Sequence, residues 1–431
     1  MGVNFGLKGG RLSSSNSPFK WFASRTSLDK CKHIARARSR PRPAMGLRTW
    51  MDVVDDVLLQ RWHTRGLPSD PKEVCGADVK GKTFIVTGPT SGIGTSTAET
   101  LAKLGARVVL ACRTVARGEA LVAQWRREHD NDKTTIDCEV MLLDLDSLDS
   151  VRAFARKFLA KKTKLHVLIN NAGVFDMSGS FVKTKDGFEQ HWGVNYIAPA
   201  LLTLLLMPAL GLGGEAKNPA RVVFVTSKLH AFADKVDLTD ASFDRRKYGA
   251  RAAYAQSKLA ELLFARALEK RLLNVVDESS TESSTKSSTG SSTKSRTESS
   301  TERKTKSSTA SKTTPEKRET HVRCVCVHPG NIITGVVRTL PNFVQVAYKV
   351  IMGSILLTPA EGARASLFAA TNPKALLGEL TLAPYFESQC VLTSPSKAAV
   401  DDDAAAALWE QTIRTFEALK VLNKGEGGIY S

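Results

Sequence analysis

Six short apolar runs recur between residues 83 and 327, parted by longer stretches with the spacing of amphipathic helices. The runs are "TFIVTG" (83–88), "RVVLAC" (107–112), "CEVMLLD" (138–144), "LHVLIN" (165–170), "RVVFVTS" (221–227) and "HVRCVCV" (321–327). A seventh candidate is "ELTLAPYF" (379–386). Helices are expected over 92–104, 115–128, 147–160, 186–207 and 252–272. Strands this uniformly apolar are covered on both faces, and helix-length crossovers join parallel neighbours. The pattern predicts an α/β fold: a doubly wound parallel sheet of about seven strands with helices on both faces.

One stretch tests that expectation. Residues 193–214, "GVNYIAPALLTLLLMPALGLGG", carry no charge over 22 residues, long enough to cross a membrane. Pro199, Pro208 and the closing glycines interrupt it, and it falls where a crossover helix is due. A buried or dimer-interface helix, with a homodimer as its consequence, is the expected outcome. The chain's 42% apolar and 24% charged residues are those of a soluble globular protein. Its net charge of +18 is uneven, since residues 1–66 alone hold 13 Lys/Arg against 4 Asp/Glu. That concentration argues against a basic nucleic-acid-binding face on the folded part, so no nucleic-acid partner is expected. Seven cysteines show no C-x-x-C pair and no His/Cys cluster at metal-ligand spacing. No metal site and no structural disulfide are expected, and the compartment reads as reducing and intracellular. Cys324 and Cys326 alternate along one run and should share a core face.

Three parts follow: a basic N-terminal arm over 1–66, a single domain over 67–431, and a Ser/Thr-rich insert over 277–320 that interrupts it. The first 44 residues are rich in Arg, Lys and Ser, with Asp29 the only acid. They fit a mitochondrial presequence, a disordered arm, or a gene model begun too early, with Met45 as the alternative start. Residues 50–62, "WMDVVDDVLLQRW", read as a short amphipathic helix that packs on the domain or rests on a membrane surface. Residues 278–313 are nine tetrapeptides of the x-S-S-T type, almost devoid of apolar side chains. Such a tract cannot bury enough surface to offset chain entropy and should be disordered.

The first run ends in "TGPTSGIG" (87–94) and opens a helix. A strand, a glycine-rich turn and a helix N-terminus form a pyrophosphate site, because backbone amides and the helix dipole favour the anion. The second run ends in "ACRT". No acid stands there to bond a ribose 2′-hydroxyl, and Arg113 is placed to pair with a 2′-phosphate, so NADP(H) is expected over NAD(H). In "YAQSK", Tyr254 and Lys258 are four apart and share one helical face. No other tyrosine in the chain has a lysine at that spacing.

Taken in order, "TGPTSGIG", "DLD" (144–146), "NNAG" (170–173), Asn195, Ser227, "YAQSK" and "HPG" (328–330) resemble the short-chain dehydrogenase/reductase family. The likeness runs over about residues 80–420 apart from the Ser/Thr tract. Within the family, "TKDGFEQHWGVNYIAPALLT" (184–203), "AAYAQSKLAELLF" (252–264) and "LLTPAEGA" (356–363) are similar to the retinol-dehydrogenase-like branch. The resemblance implies a Rossmann-type dinucleotide-binding domain with Tyr254 as general acid/base. Lys258 would lower the phenol's pKa and hold the nicotinamide ribose. Ser227 would bond the reacting oxygen, and Asn195 would hold a water linking Lys258 to solvent. Thr87, Gly88, Ser91, Gly92, Ile93, Gly94 and Arg113 would bind the cofactor's phosphates. Asp144 and Leu145 would contact the adenine, and Asn171, Ala172 and Gly173 the adenosine ribose. Pro329, Gly330 and Thr334 would meet the nicotinamide end. An unperturbed phenol, with a pKa of about 10, is poorly matched to neutral pH, which gives a neighbouring ammonium its purpose.

Two departures stand out. Ala198 and Pro199 occupy positions where the branch usually has Gly-His, which bears on local helix geometry. The interval from Ser227 to Tyr254 is long, and its loop is expected to line the site mouth. Residues 331–358 are apolar with few charges and would cover a lipophilic substrate. Retinoids, steroids, polyprenols and xenobiotic carbonyls all fit, with peripheral membrane contact as a corollary. The competing expectation is a catalytically silent family member that serves as an interaction adaptor.

Overall fold

The structure, a computed structural model, describes residues 57–76, 78–129, 135–176, 179–285, 321–332, 355–376 and 381–422, with the backbone alone over 274–285. All of them fall within one compact unit, Met45–Ser431. Thr334, the greater part of the 331–358 cover, most of the basic arm and residues 286–320 lie outside the described residues.

The apolar runs become β1 (Thr83–Thr87), β2 (Arg107–Cys112), β3 (Cys138–Leu142), β4 (Val167–Asn170), β5 (Ala220–Val225), β6 (Val322–Val327) and β7 (Tyr385–Phe386). They form one sheet in the order β3-β2-β1-β4-β5-β6-β7, with every neighbouring pair parallel. The seventh strand is only two residues long. Ala383 takes a left-handed φ of 49° just before it, and Pro384 has no N–H to give to a ladder.

The described helices are α1 (57–64), α2 (Gly92–Lys103), α3 (Val115–Glu128), α4 (Leu148–Ala160), α5 (Ala198–Gly213), α6 (Ala250–Thr285), α7 (Pro359–Thr371) and α8 (Asp402–Ala418). Alternate strand residues feed two cores. Ile85, Val109, Leu168, Val222, Phe224, Cys324 and Cys326 face α4, α5, α6 and α8. Phe84, Val86, Val108, Leu110, Ile169, Val223, Val225, Val325 and Val327 face α2, α3 and α7. Each fully buried Leu, Ile or Phe in these layers contributes about 1.5–3 kcal/mol, so the two cores hold the sheet's edges in place.

Local chemistry sets the helix ends. Ser147 Oγ accepts from Ser150 N at 3.4 Å, and an Asp401 carboxylate oxygen accepts from Ala404 N at 2.9 Å. Thr358 and Glu361 form a reciprocal capping box ahead of Pro359, which occupies the first turn, where its missing N–H costs nothing. The crossover expected from 186 starts at 190 instead. Lys183 and Glu189 form an antiparallel bridge there, and Gly187 has a φ of 87°. A π-helical turn, Trp192–Ile197, leads into α5. Pro199 has no N–H to offer the Asn195 carbonyl, which removes one α-helical bond at this point. Pro208 does not end α5, which runs on to Gly213 and is buried along most of its length, as a crossover helix should be. Helix α6 extends to Thr285, so the first two tetrapeptides of the Ser/Thr tract prolong it rather than leave it. A helix already nucleated over packed residues adds one bond for each residue it gains.

Residues 57–64, which the sequence reading placed in the arm, lie on the domain. Gln60 is fully buried and Arg61 bonds the Leu356 carbonyl at 2.7 Å. From β1 the chain winds outward to β3 and then returns to β4 on β1's other side. The C-terminal ends of β1 and β4 therefore flank the crevice where ligands of open α/β sheets bind.

Candidate active site

Two of the motifs read from the sequence meet at that crevice. Thr87 Oγ1, at the end of β1, accepts from Asn171 N at 3.0 Å and Ala172 N at 2.9 Å. Asn171 Nδ2 returns a bond to the Thr87 carbonyl at 2.8 Å. The glycine turn is compact for a steric reason. A Cβ at Gly94 would lie 2.3 Å from the Gly88 carbonyl oxygen and 2.5 Å from Asn171 Nδ2. Gly88 and Gly92 have φ values of 65° and 58°, the left-handed region open to glycine. Ser91 holds the N-cap position of α2 without a side-chain cap bond, so the first-turn amides are not spent on it. Ile93 lies in that turn toward Gly362 of α7, where an added Cβ would sit 3.5 Å from its Cγ1.

Arg113 is exposed just beyond β2. Asp144, beyond β3, accepts from Lys185 Nζ at 2.8 Å and from Asp146 N at 3.2 Å. Burial works against its charge, but the Lys185 bond and the charges of Lys185 and Arg113 hold its carboxyl below the usual range. Leu145 beside it is buried. Gly173 is tight as well, since a Cβ there would come within 3.3 Å of Asn195 Oδ1 and 3.6 Å of Lys258 Nζ. Asn195 sits in the π-helical turn. Its Oδ1 accepts from Val174 N at 2.7 Å, and its Nδ2 donates to the Val174 carbonyl at 3.0 Å and to Ser257 Oγ at 3.1 Å. The amide thus staples the chain that follows "NNAG" to α6.

Ser227 ends the β5 segment and caps a short 3-10 turn, Lys228–Phe232, its Oγ accepting from Leu229 N at 3.2 Å. The same side chain lies close enough to the Tyr254 phenol to pull its pKa down. Tyr254 is partly exposed, with the Phe175 ring 4.3 Å away and His191 edge-on at 5.9 Å. Lys258 is buried and donates to the Val225 carbonyl at 3.0 Å and to Glu261 Oε1 at 2.7 Å. Its Nζ lies 5.9 Å from the Tyr254 ring centre. Burial raises the phenol's pKa and Glu261 adds to that; Lys258 and Ser227 pull the other way without prevailing. The sequence reading had the lysine lowering the pKa. Its contribution has that sign, but desolvation outweighs it in the protein alone. Burial disfavours the Lys258 charge, yet Glu261 and Tyr254 more than restore it, so the ammonium titrates above its ordinary value. Pro329 and Gly330 follow β6 on the same edge, and Gly330 has a φ of 89°.

Sequence reading missed two residues here. Glu261 is one turn past Lys258 on the same face, a spacing visible in "SKLAE". Phe175 stands two residues past "NNAG" and carried no local signal.

A sequence profile described as "short chain dehydrogenase" matches residues 82–237. The Arabidopsis thaliana protein named Dehydrogenase/reductase SDR family member FEY is 34% identical over 393 residues, 88% of this chain and 90% of its own length. Human Retinol dehydrogenase 14 is 32% identical across 77% of this chain and 84% of its own. Mouse Polyprenol dehydrogenase is 47% identical over 44% of this chain and 55% of its own. Among solved structures, an uncharacterised protein from Mycobacterium paratuberculosis superposes with a TM-score of 0.53 at 26% identity, covering 80% of this chain and 96% of its own. With the parallel sheet, the glycine turn and the Ser–Tyr–Lys grouping in view, the chain belongs to the short-chain dehydrogenase/reductase family, in its retinol-dehydrogenase-like branch.

Proposed function

We propose that this oxidoreductase uses NADP(H) to interconvert a lipophilic alcohol and its aldehyde or ketone, with Tyr254 as general acid/base. The observation that carries the reading is the meeting of Ser227, Tyr254 and Lys258 at the end of β5, two strands from the glycine turn at the end of β1.

The residues at the crevice fit a dinucleotide. Gly94 keeps the turn free of a side chain, and the amides that open α2 would meet the pyrophosphate. Arg113 would pair with a 2′-phosphate, and the absence of an acid beside it disfavours a bare ribose hydroxyl. Gly88, Ser91, Gly92 and Asn171 would shape the phosphate and ribose walls, with Asp144 and Leu145 at the adenine. When bound, the nicotinamide supplies or accepts the hydride. Ser227 would hold the substrate oxygen against the phenol. Tyr254 would give its proton to that oxygen during reduction and take it back during oxidation. Lys258, charged and anchored, would favour the phenolate as it forms. Asn195 would keep the "NNAG" segment in place beside Lys258.

Several features favour a lipophilic substrate. Phe175 packs at a tilt against Tyr254 and is itself 37% exposed, and Phe181 and Val182 are exposed close by in sequence. The apolar composition of 331–358 and relatives named for retinol and polyprenol point the same way. Leu58, Leu59 and Trp62 are exposed on α1, which supports peripheral membrane contact in an intracellular setting. The test is NADPH oxidation and NADP reduction against retinoids, steroids, polyprenals and quinones, repeated with NADH. Tyr254→Phe is expected to lose roughly 10²- to 10⁴-fold in turnover while still binding NADPH. Full activity in that variant ends the mechanism, and equal rates with NADH end the cofactor preference.

A further inference from the structure

Helix α1 makes a more specific contact than its sequence implies, which is only a short amphipathic helix packed on the domain or resting on a membrane surface. Gln60 is wholly buried, and every polar atom of its amide is engaged. Nε2 donates to the Asn331 carbonyl at 2.9 Å and to the Ile355 carbonyl at 3.0 Å. Oε1 accepts from Asn331 N at 2.8 Å. One side chain thus grips the backbone at both sides of residues 333–354. Arg61 reinforces the second grip, with Nε and Nη2 on the Leu356 carbonyl at 3.1 and 2.7 Å and Nη1 near Glu361 at 3.4 Å. Asn331 and Leu357 are also bonded to one another, and Ile332 bridges Leu357.

The gripped backbone leads directly to the reacting groups. Asn331 follows His328, Pro329 and Gly330 at the C-terminal edge of β6. His328 Nδ1 accepts from Lys228 N at 3.3 Å, which ties the loop to the turn capped by Ser227. Gly330 has no spare room, since a Cβ there would lie 3.3 Å from Gln60 Oε1 and 2.7 Å from Leu357 Cδ1. The Gln60 amide therefore adds its own backbone bonds to a loop whose strand-like pairing is a single bridge to Leu357.

We infer that Gln60 is a positioning residue of the cofactor site, and that α1 belongs to the working enzyme: the Gln60 side chain holds the 328–332 loop where the nicotinamide end of the cofactor is to lie. The inference rests on the dinucleotide reading above. An amide with three buried bonds fixes a loop more firmly than apolar contact alone, because each bond restricts direction as well as distance.

The experiment uses the full chain. In Gln60→Ala, the Kd for NADPH is expected to rise about tenfold, the loss of one or two buried hydrogen bonds, and the KM for NADPH to rise with it while kcat changes less. His63→Ala, on the exposed side of the same helix, is expected to leave both constants within twofold of the parent, roughly the noise of a surface change. A folded Gln60→Ala protein with parental Kd and KM overturns the inference even if its melting temperature has fallen. Hydrogen exchange on the unaltered protein supplies a readout that does not depend on the variant's folding. Saturating NADPH should slow exchange in peptides covering 57–64 as well as 328–332. Protection of 328–332 alone overturns the role of α1. Failure of the unaltered protein to bind NADPH at all overturns the dinucleotide reading, and this inference with it.

Discussion

Glu261 and Glu269 lie about two turns apart on α6, both buried and both paired with a cation, yet their surroundings differ. Glu269 is saturated: Arg323 Nε donates to one oxygen and Ala383 N to the other. The pair ties α6 to β6 and to the chain entering β7, away from the crevice. Glu261 accepts from Lys258 through Oε1; among the described residues its Oε2 makes no hydrogen bond of good geometry, though the Thr226 hydroxyl is near enough to pull the carboxyl's pKa down. Burial pushes both carboxyls upward against the pull of their cations. A fully satisfied pair works as a bolt. A pair with an unspent oxygen holds a charge in place without fixing every direction around it, which suits the part proposed for Lys258 toward a phenol and a ribose.

The largest effect expected from breaking this contrast is on stability. Glu269→Ala leaves the Arg323 guanidinium, only 16% exposed, without its counter-charge. Removing one partner of such a pair costs about 3–5 kcal/mol, which urea denaturation would register. The folded protein should keep its turnover, since nothing in the Glu269 pair reaches Tyr254. A variant that stays stable but loses turnover would reverse the contrast.

Glu261→Gln sharpens it by a smaller change of a different kind. Glutamine keeps an acceptor for Lys258 but removes a negative charge. That charge raises the Tyr254 phenol's pKa, so its loss should lower it. Alcohol oxidation needs the phenolate and speeds up as pH rises through the phenol's pKa. The rising limb of its pH–rate profile should therefore move to lower pH. An unmoved limb, or one moved upward, would place Glu261 with Glu269 among the structural pairs.

Much of this was legible in advance, for physical reasons that also explain what was not. Strands covered on both faces cannot alternate, so β1, β2 and β4 stood out as apolar runs within two residues of their ends. Helices α2 and α3 start at 92 and 115, where the glycine turn and the end of β2 put them. The seventh run was legible as a candidate over 379–386, but its shortening to two residues was not, since nothing in the type of Ala383 announces its left-handed φ. Neither was the Gln60 grip, whose partners lie 271 and 295 residues away in the chain. In the site, Thr87, Asn171, Tyr254 and Lys258 stood in recognisable short motifs, and the structure sets Asn171 against Thr87 and Lys258 beside Tyr254. Asn195 came to the same place by a π-helical turn, whose only sequence trace is the missing N–H of Pro199.

The smallest effect concerns the other end of α6. Its tyrosine lies near the helix's start, at the C-terminal edge of the sheet, and its last described residue is Thr285. The chain resumes at the N-terminal end of β6, where the His321 carbonyl accepts from Ala220 N at 2.9 Å. Residues 286–313 thus join two points at the edge opposite the crevice, because a parallel sheet places all strand starts on one side. Deleting 286–313 while keeping a short linker through 314–320 should change kcat and KM by less than about twofold. The closure entropy of a loop varies only slowly with its length, so stability should move by less than about 1 kcal/mol. A large fall in turnover by a well-folded deletion protein would mean that the tract reaches around the sheet to the site, and would remove the separation between the two ends of α6 on which the contrast of Glu261 with Glu269 depends.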